Sequence, residues 1–256
     1  MEIRRGFELE FSVDDAEQFG ARRLAKLVVN EAYRDAGTLQ ALRLALASTQ
    51  SDDFLAQILV DEIQAVRSDS RFYDYRIGHV LADSIDRIRE CIIGDLSPRS
   101  PRRAAQLLGQ LVRLDSHAFE QSDNSDDVIG EVIGQAVIDY GQASAAVPER
   151  DIAELALEVL TLFWNDAYGA HEGIIVAFRN ALGPAGLDML ESLSRSRSMA
   201  AGRVDGNRMA STLQQITTAR KLLSASKSAP DAAPDVSSIC GENGPSANPG
   251  GGVEVS

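Results

Sequence analysis

The sequence has 256 residues, of which 44% are hydrophobic and 25% are charged, a balance typical of a globular chain long enough to bury a sizeable core. Its formal net charge of −13 argues against nucleic acid and anionic membranes as partners, because both are bound by clustered Lys and Arg. The one basic cluster, at Arg99, Arg102 and Arg103, is interpreted as a solvated helix face. Aromatic residues make up only 5%, so we expect a core of aliphatic side chains.

The lack of a recognisable targeting signal and the positions of the two cysteines predict an intracellular protein. The N-terminus lacks the apolar stretch of a secretory signal, and no run approaches the roughly 18 apolar residues of a membrane span. Cys91 falls on an apolar helical stripe and Cys240 lies near the C-terminus, a pattern that predicts neither a disulfide framework nor a zinc site. We therefore expect a cytoplasmic location.

Apolar residues recur at steps of three and four along most of the chain, which predicts helices and almost no strands. Ser51 and Pro101 are good first residues, because a serine side chain accepts from free N–H groups and proline fits the first helical position. Gly37, Gly94 and Gly183 are expected to end helices. In chain order the predicted helices span about 14–37, 38–46, 51–68, 77–92, 101–119, 129–140, 148–163, 173–182, 184–193 and 207–223.

This pattern predicts an all-α protein of about ten helices joined by short loops. Most helices carry a single apolar stripe, which favours antiparallel hairpins stacked side by side, as in an α-solenoid, over one compact bundle. From residue 224 onwards Pro, Gly and Ser dominate and apolar residues are sparse. We therefore expect an all-helical domain at 1–223 and a disordered tail at 224–256.

Five short stretches stand in a characteristic order along the chain, at residues 42–47, 72–76, 121–132, 166–169 and 181–187. Their order and spacing resemble those of an uncharacterised bacterial helical family, domain of unknown function 6880. The resemblance runs roughly from residue 19 to 221 and implies an all-helical fold, but no chemistry. The chain departs from the family's acidic signature at Gln121, Asn124 and Asp127, where the family has Arg, Asp and Gly.

The acidic stretch at 120–131 is the first candidate site, through Glu120, Asp123, Asp126 and Asp127. Its alternating carboxylates resemble a calcium loop, but an EF-hand loop that began at Asp123 would need Gly and Glu where Val128 and Gly134 stand. Residues 125–127 are better interpreted as caps of the helix that follows, with a weak cation site as the alternative.

The three histidines, at 79, 117 and 171, show no spacing typical of a helical zinc pair. His117 and Glu120 form an i, i+3 pair, which di-iron bundles use twice, but the sequence has no second pair of that kind. We therefore predict no metal, no cofactor and no catalytic residue, and ordinary histidines at all three positions.

Two polar-aromatic clusters remain as candidate binding surfaces. The first could line a cleft, although an inter-helix corner with Asp74 as an N-cap is favoured. The second could bind a partner, although closure of a helix end over the core is favoured. The clusters are Tyr73, Asp74, Tyr75 and Arg76, and Trp164, Asp166, Tyr168 and His171.

Three functions stay open from the sequence. The favoured one is a non-catalytic helical-repeat module that binds another protein or a peptide. The second is an enzyme or ligand-binding protein whose site is assembled from distant helices, around His117, Glu120, Asp123 and Asp166. The third is a structural or regulatory subunit of a homo-oligomer.

Overall fold

The computed structural model describes residues 20–123, 127–201 and 206–228, and within these ranges the chain is all-helical, as predicted. A π-helical turn, Ile92–Leu96, follows the fourth helix. The helices are α1 (Ala21–Ala32), α2 (Ala36–Ser48), α3 (Asp52–Ser68), α4 (Gly78–Cys91), α5 (Pro101–Val112), α6 (Asp115–Glu120), α7 (Val128–Ala145), α8 (Ile152–Asn165), α9 (Ile174–Ala177), α10 (Arg179–Ala201) and α11 (Gly206–Ser228).

The predicted boundary between the first two helices is wrong. The first ends at Ala32 rather than Gly37, and its predicted start lies outside the described residues. The second begins at Ala36, because the Asp35 carboxylate accepts a hydrogen bond from the Thr38 N–H at 2.6 Å. A carboxylate is a strong N-cap acceptor, so Asp35 caps this helix in place of Thr38.

The helix predicted at 101–119 is in fact two helices. The chain bends at Arg113 and Leu114, so that α6 starts at Asp115 in a new direction. Leu114 is fully buried, and the bend is therefore held by packing, with no Gly or Pro in it.

In the C-terminal half, the predicted helix break at Gly183 is observed, whereas the predicted end of the last helix is wrong. Gly183, with φ 59° and ψ −173°, interrupts α10 directly before Pro184, as expected for a residue free to adopt positive φ. The last helix continues to Ser228, beyond the predicted end at 223, so residues 224–228 are helical rather than part of a tail. The rest of the predicted tail lies outside the described residues.

Helix α7 lies at the centre of the fold and packs against α4, α5, α9 and α10. Its buried face includes Ile129, Ile133, Ala136 and Tyr140, with 0–2% of each residue exposed. A Cβ on Gly141 would lie 2.5 Å from the Ala177 carbonyl oxygen, so glycine is what lets α9 approach the centre of the core. Side-by-side solenoid stacking stays a prediction.

Two of the three arginines expected to form a solvated face also form ion pairs with α3. Arg99 Nη1 lies 3.2 Å from Asp52 Oδ1, and Arg103 forms an ion pair with Asp53. Both acids are in the first turn of α3, where negative charge also complements the helix dipole. No helix in the described ranges has the length and apolar character needed to cross a lipid bilayer.

Candidate functional site: a polar groove along α8

Two adjoining cavities follow the exposed side of α8, and we call them together the α8 groove. They enclose about 520 and 650 Å³ and share Arg113, Glu154 and Glu158. The first is lined by Arg113, Asp115, Ser116, Glu154, Leu157, Glu158, Thr161, Leu162, Asn165 and His171. The second is lined by Arg102, Ala105, Gln106, Gln110, Arg113, Tyr140, Val147, Glu149, Arg150, Asp151, Glu154 and Glu158.

Glu158 organises the boundary between the two cavities. Its Oε1 accepts hydrogen bonds from Arg113 Nη2 at 2.6 Å and from the Tyr140 hydroxyl at 2.7 Å. Its Oε2 accepts from Arg150 Nη2 at 3.1 Å. The same Nη2 donates to the Tyr140 hydroxyl at 3.2 Å, and Arg150 Nη1 donates to Ser144 Oγ. This network joins α5, α7 and α8 and fixes the shape of the groove.

The network shifts the acidity of two of its members. Burial, followed by the nearby Glu158 charge, raises the pKa of Tyr140 to about 12. Burial alone would raise the pKa of Glu158, but the hydrogen bonds from Arg113 and Tyr140 and the charges of Arg113 and Arg150 hold it below its ordinary value. Glu158 is therefore ionised and fully engaged at neutral pH.

His171 closes one end of the groove. It is 2% exposed, with Nδ1 3.1 Å from the Leu162 carbonyl oxygen and Nε2 3.3 Å from the Val112 carbonyl oxygen. Its Nε2 also lies 3.6 Å from Asp115 Oδ2. Both ring nitrogens therefore face oxygen acceptors.

Asp166 shapes the loop that carries His171. Its Oδ1 accepts from the backbone N–H groups of Tyr168, Gly169 and Ala170, and its Oδ2 accepts from the His171 N–H at 2.9 Å. Ligand atoms of Asp115, Asp166 and His171 all lie within 4.8 Å of one another. The sequence hypothesis had grouped Asp166 with His117, Glu120 and Asp123, none of which joins this group of described residues.

Other members of the second predicted cluster pack around the same loop. Tyr168 stacks on Phe119 of α6, with ring centroids 4.6 Å apart. Trp164 is buried, the Arg197 guanidinium lies 4.8 Å from its ring centroid, and Arg208 donates to its carbonyl oxygen.

The first predicted cluster meets the acidic stretch through its backbone. The Tyr73 N–H donates to the Gln121 carbonyl at 2.7 Å, and the Asp123 N–H donates to the Tyr73 carbonyl at 2.8 Å. Tyr73 is buried and its hydroxyl donates to Asp69 at 2.6 Å. These contacts make a structural corner.

Three further candidates lie on the surface of this corner. The Asp74 carboxylate accepts a hydrogen bond from the Arg76 N–H at 2.9 Å, which makes an Asx turn. The N-cap of α4 is Ile77, so the prediction that Asp74 caps this helix is wrong. Tyr75 is 60% exposed and its hydroxyl accepts from Arg76 Nε at 3.0 Å.

Two more candidates, His117 and Glu120, lie on α6: His117 is half-buried and Glu120 is exposed. Asp126 lies outside the described residues. Asp127 is the N-cap residue of α7, as expected, but within the described residues its side chain makes no capping hydrogen bond there. Its φ of 59° is in the left-handed region, which explains why a glycine suits this position.

Sequence reasoning missed Asp115, Arg113 and Glu158. For Asp115 a signal was present: it follows Leu111 by four residues and precedes Ala118 by three, and so stands on the apolar stripe of the predicted helix. A carboxylate at such a position is buried and needs a partner, which marks it for attention. No comparable signal in the sequence distinguished Arg113 or Glu158.

Fold and site together define a protein that is all-helical over the described residues and has a charged groove along α8. Residues 13–238 match a family described as a family of unknown function (DUF6880), and the chain belongs to that family. The match extends beyond the resemblance seen in the sequence at both ends. No curated protein and no solved structure is significantly similar to the chain.

Proposed function

We propose that the protein is a non-catalytic interaction module, and that its α8 groove binds a Lys- or Arg-containing segment of another protein. The observation that carries the proposal is the charge of the groove. Acidic side chains outnumber arginines along its walls: Asp115, Glu149, Asp151, Glu154 and Glu158 face Arg102, Arg113 and Arg150.

Two of the three groove arginines are paired with one acid of the groove, and other acids of the groove are not paired among the described residues. Arg113 and Arg150 both pair with Glu158. Within the described part of the chain, no cation lies within ion-pair distance of Glu149 or Glu154, and both side chains are exposed. A cationic partner therefore finds free carboxylates in the groove, on a protein whose net charge of −13 also steers it there.

Apolar surface lies beside these carboxylates. Leu157 is 54% exposed on the groove wall, close in sequence to Glu154 on the same helix. A lysine or arginine side chain packs its aliphatic stem on apolar surface while its charged end reaches a carboxylate. This combination favours a basic peptide over a small inorganic cation.

The test is binding of fluorescent peptide libraries to the full chain, measured by polarisation. One library carries fixed Lys and Arg positions among apolar residues, and the other carries Glu at those positions. We expect saturable, salt-sensitive binding of the basic library alone.

A charge-matched pair of variants locates the binding. The double variant Glu149→Gln with Glu154→Gln should weaken binding at least several-fold, whereas Asp83→Asn with Glu172→Gln, which removes the same charge from exposed positions outside the groove, should leave it unchanged. Equal loss in both pairs would show non-specific attraction and would refute the proposal, as would equal binding of the two libraries.

The two other hypotheses have distinct tests. An assembled catalytic site now has to be sought around Asp115, Asp166 and His171, because that is where the described ligand groups converge. A homo-oligomer would show as concentration-dependent mass in light scattering.

A further inference from the structure

We propose that Asp115, Asp166 and His171 form a binding site for one divalent transition-metal ion of the zinc type, at the closed end of the α8 groove. The inference is independent of what occupies the rest of the groove. It starts from three ligand types, one imidazole and two carboxylates, whose donor atoms lie within 4.8 Å of one another. Imidazole nitrogen and carboxylate oxygen are both common zinc ligands.

The spacing of the donors fits a metal better than direct contact. His171 Nε2 and Asp115 Oδ2 are 3.6 Å apart, beyond hydrogen-bond distance. Zinc–nitrogen and zinc–oxygen bonds of about 2.0–2.1 Å, arranged tetrahedrally, place two donors about 3.4 Å apart. A metal ion between the two groups therefore needs little movement of either.

Asp115 supplies an independent indication. Its side chain is 10% exposed, and its ion-pair partner among the described residues is His171, whose Nε2 lies 3.6 Å from Oδ2. Loss of solvation raises the free energy of such a carboxylate, and a cation bound beside it offsets that cost. The carboxylate lines the same cavity as His171, so it faces the space in which the ion would lie.

The surrounding hydrogen bonds are those that hold metal ligands in place. His171 Nδ1 lies 3.1 Å from the Leu162 carbonyl oxygen and Nε2 lies 3.3 Å from the Val112 carbonyl oxygen, so the neutral ring has one proton for two acceptors. When that proton is on Nδ1, where the contact is shorter, Nε2 has a lone pair beside Asp115 that can bind a metal ion. Ligating histidines usually donate their second ring nitrogen to such an acceptor. Asp166 is likewise oriented by backbone N–H groups on both oxygens.

The test is isothermal titration of the metal-stripped full chain with ZnCl₂, in a Cys240→Ser background so that this thiol does not bind zinc. Cys91 does not compete, because burial raises the pKa of its thiol to about 12. We expect one equivalent of zinc to bind. Asp115→Asn, which is nearly isosteric, should raise the Kd at least about tenfold.

The control is His117→Gln, which removes a half-buried histidine of α6 outside the site and should leave the Kd unchanged. If Asp115→Asn fails to fold by circular dichroism, the Co²⁺ absorption spectrum of the unsubstituted chain still decides, since tetrahedral nitrogen and oxygen ligation gives intense visible bands. Absence of saturable binding, equal affinity in Asp115→Asn, or NMR evidence that His171 Nε2 stays protonated when Zn²⁺ is in excess would each overturn the site.

Discussion

The close approach of α9 to Gly141 predicts opposite effects of a Gly→Ala substitution at two positions of α7. Both Gly134 and Gly141 lie inside this helix, where alanine is intrinsically favoured by about 1 kcal/mol. A Cβ on Gly134 meets nothing within 4 Å. A Cβ on Gly141 would lie 2.5 Å from the Ala177 carbonyl oxygen and 2.7 Å from its carbonyl carbon, which are backbone atoms that no rotamer change can move away.

The magnitudes follow from these contacts. Gly134→Ala should raise the free energy of unfolding by about 1 kcal/mol. Gly141→Ala gains the same propensity but has to separate α7 from α9, an overpacking that costs about 1–3 kcal/mol or more. With backbone as the obstacle we expect the upper end, so the net loss should be about 2 kcal/mol.

Urea unfolding gives the free energy of unfolding of both variants, and thermal unfolding gives their melting temperatures, both followed by circular dichroism. The melting temperature should rise by about 2–4 °C for Gly134→Ala and fall by about 4–8 °C for Gly141→Ala. The reasoning fails if Gly141→Ala is as stable as the unsubstituted chain, because α9 could then retreat at no cost and the close approach would be incidental.

Three further substitutions test the groove and its approaches. Tyr140→Phe should lower the free energy of unfolding by about 1 kcal/mol. Because the pKa of Tyr140 is about 12 in the folded chain against an ordinary 10.0, the unsubstituted chain should lose stability as the pH rises from about 10 to 12, and alkaline unfolding titrations of the variant should lack that loss. Glu158→Gln should lower the free energy of unfolding by about 2 kcal/mol at neutral pH, whereas Glu154→Gln should lower it by less than about 0.5 kcal/mol. Because the pKa of Glu158 is lowered in the folded chain, its stabilising contribution is present above about pH 4.5 and is lost as the pH falls further, which urea unfolding at several pH values measures. Asp127→Ala should be about 1 kcal/mol less stable than Asp127→Gly, because only glycine adopts the positive φ freely, and equal thermal melts would contradict this.

Helices were predictable wherever a strong cap preceded a clear stripe. The helix predicted at 51–68 is observed at Asp52–Ser68, because Ser51 accepts from the Phe54 N–H and the apolar stripe buries Leu55 and Ile63. The bend at Arg113 and Leu114 could not be predicted, since a fully buried leucine within a helical pattern carries no local signal of a break. Tertiary packing decides there.

Two of the three residues of the candidate metal site could be singled out from the sequence, because only these two are neighbours along the chain. Asp166 and His171 stood out because they are near each other in sequence among aromatic residues. Their third neighbour, Asp115, reaches them only through the fold, because the bend after Val112 turns α6 toward the loop after α8. Spacing rules for metal sites apply within one helix or loop, and this group spans two separate segments.

Asp115, which follows the bend at Arg113 and Leu114, belongs to both the proposed peptide groove and the proposed metal site, so the binding of the two ligands should be coupled. Asp115 lies both in the proposed metal site and on the groove wall, so a bound zinc ion replaces one of the negative charges that attract a basic peptide. Zinc should therefore raise the Kd of the peptide. By thermodynamic reciprocity the peptide must raise the Kd of zinc by the same factor. Titrating each ligand in the presence and absence of the other gives both factors independently. A peptide that binds equally well with and without saturating zinc would place its site away from Asp115, and the two proposals would then have to stand separately.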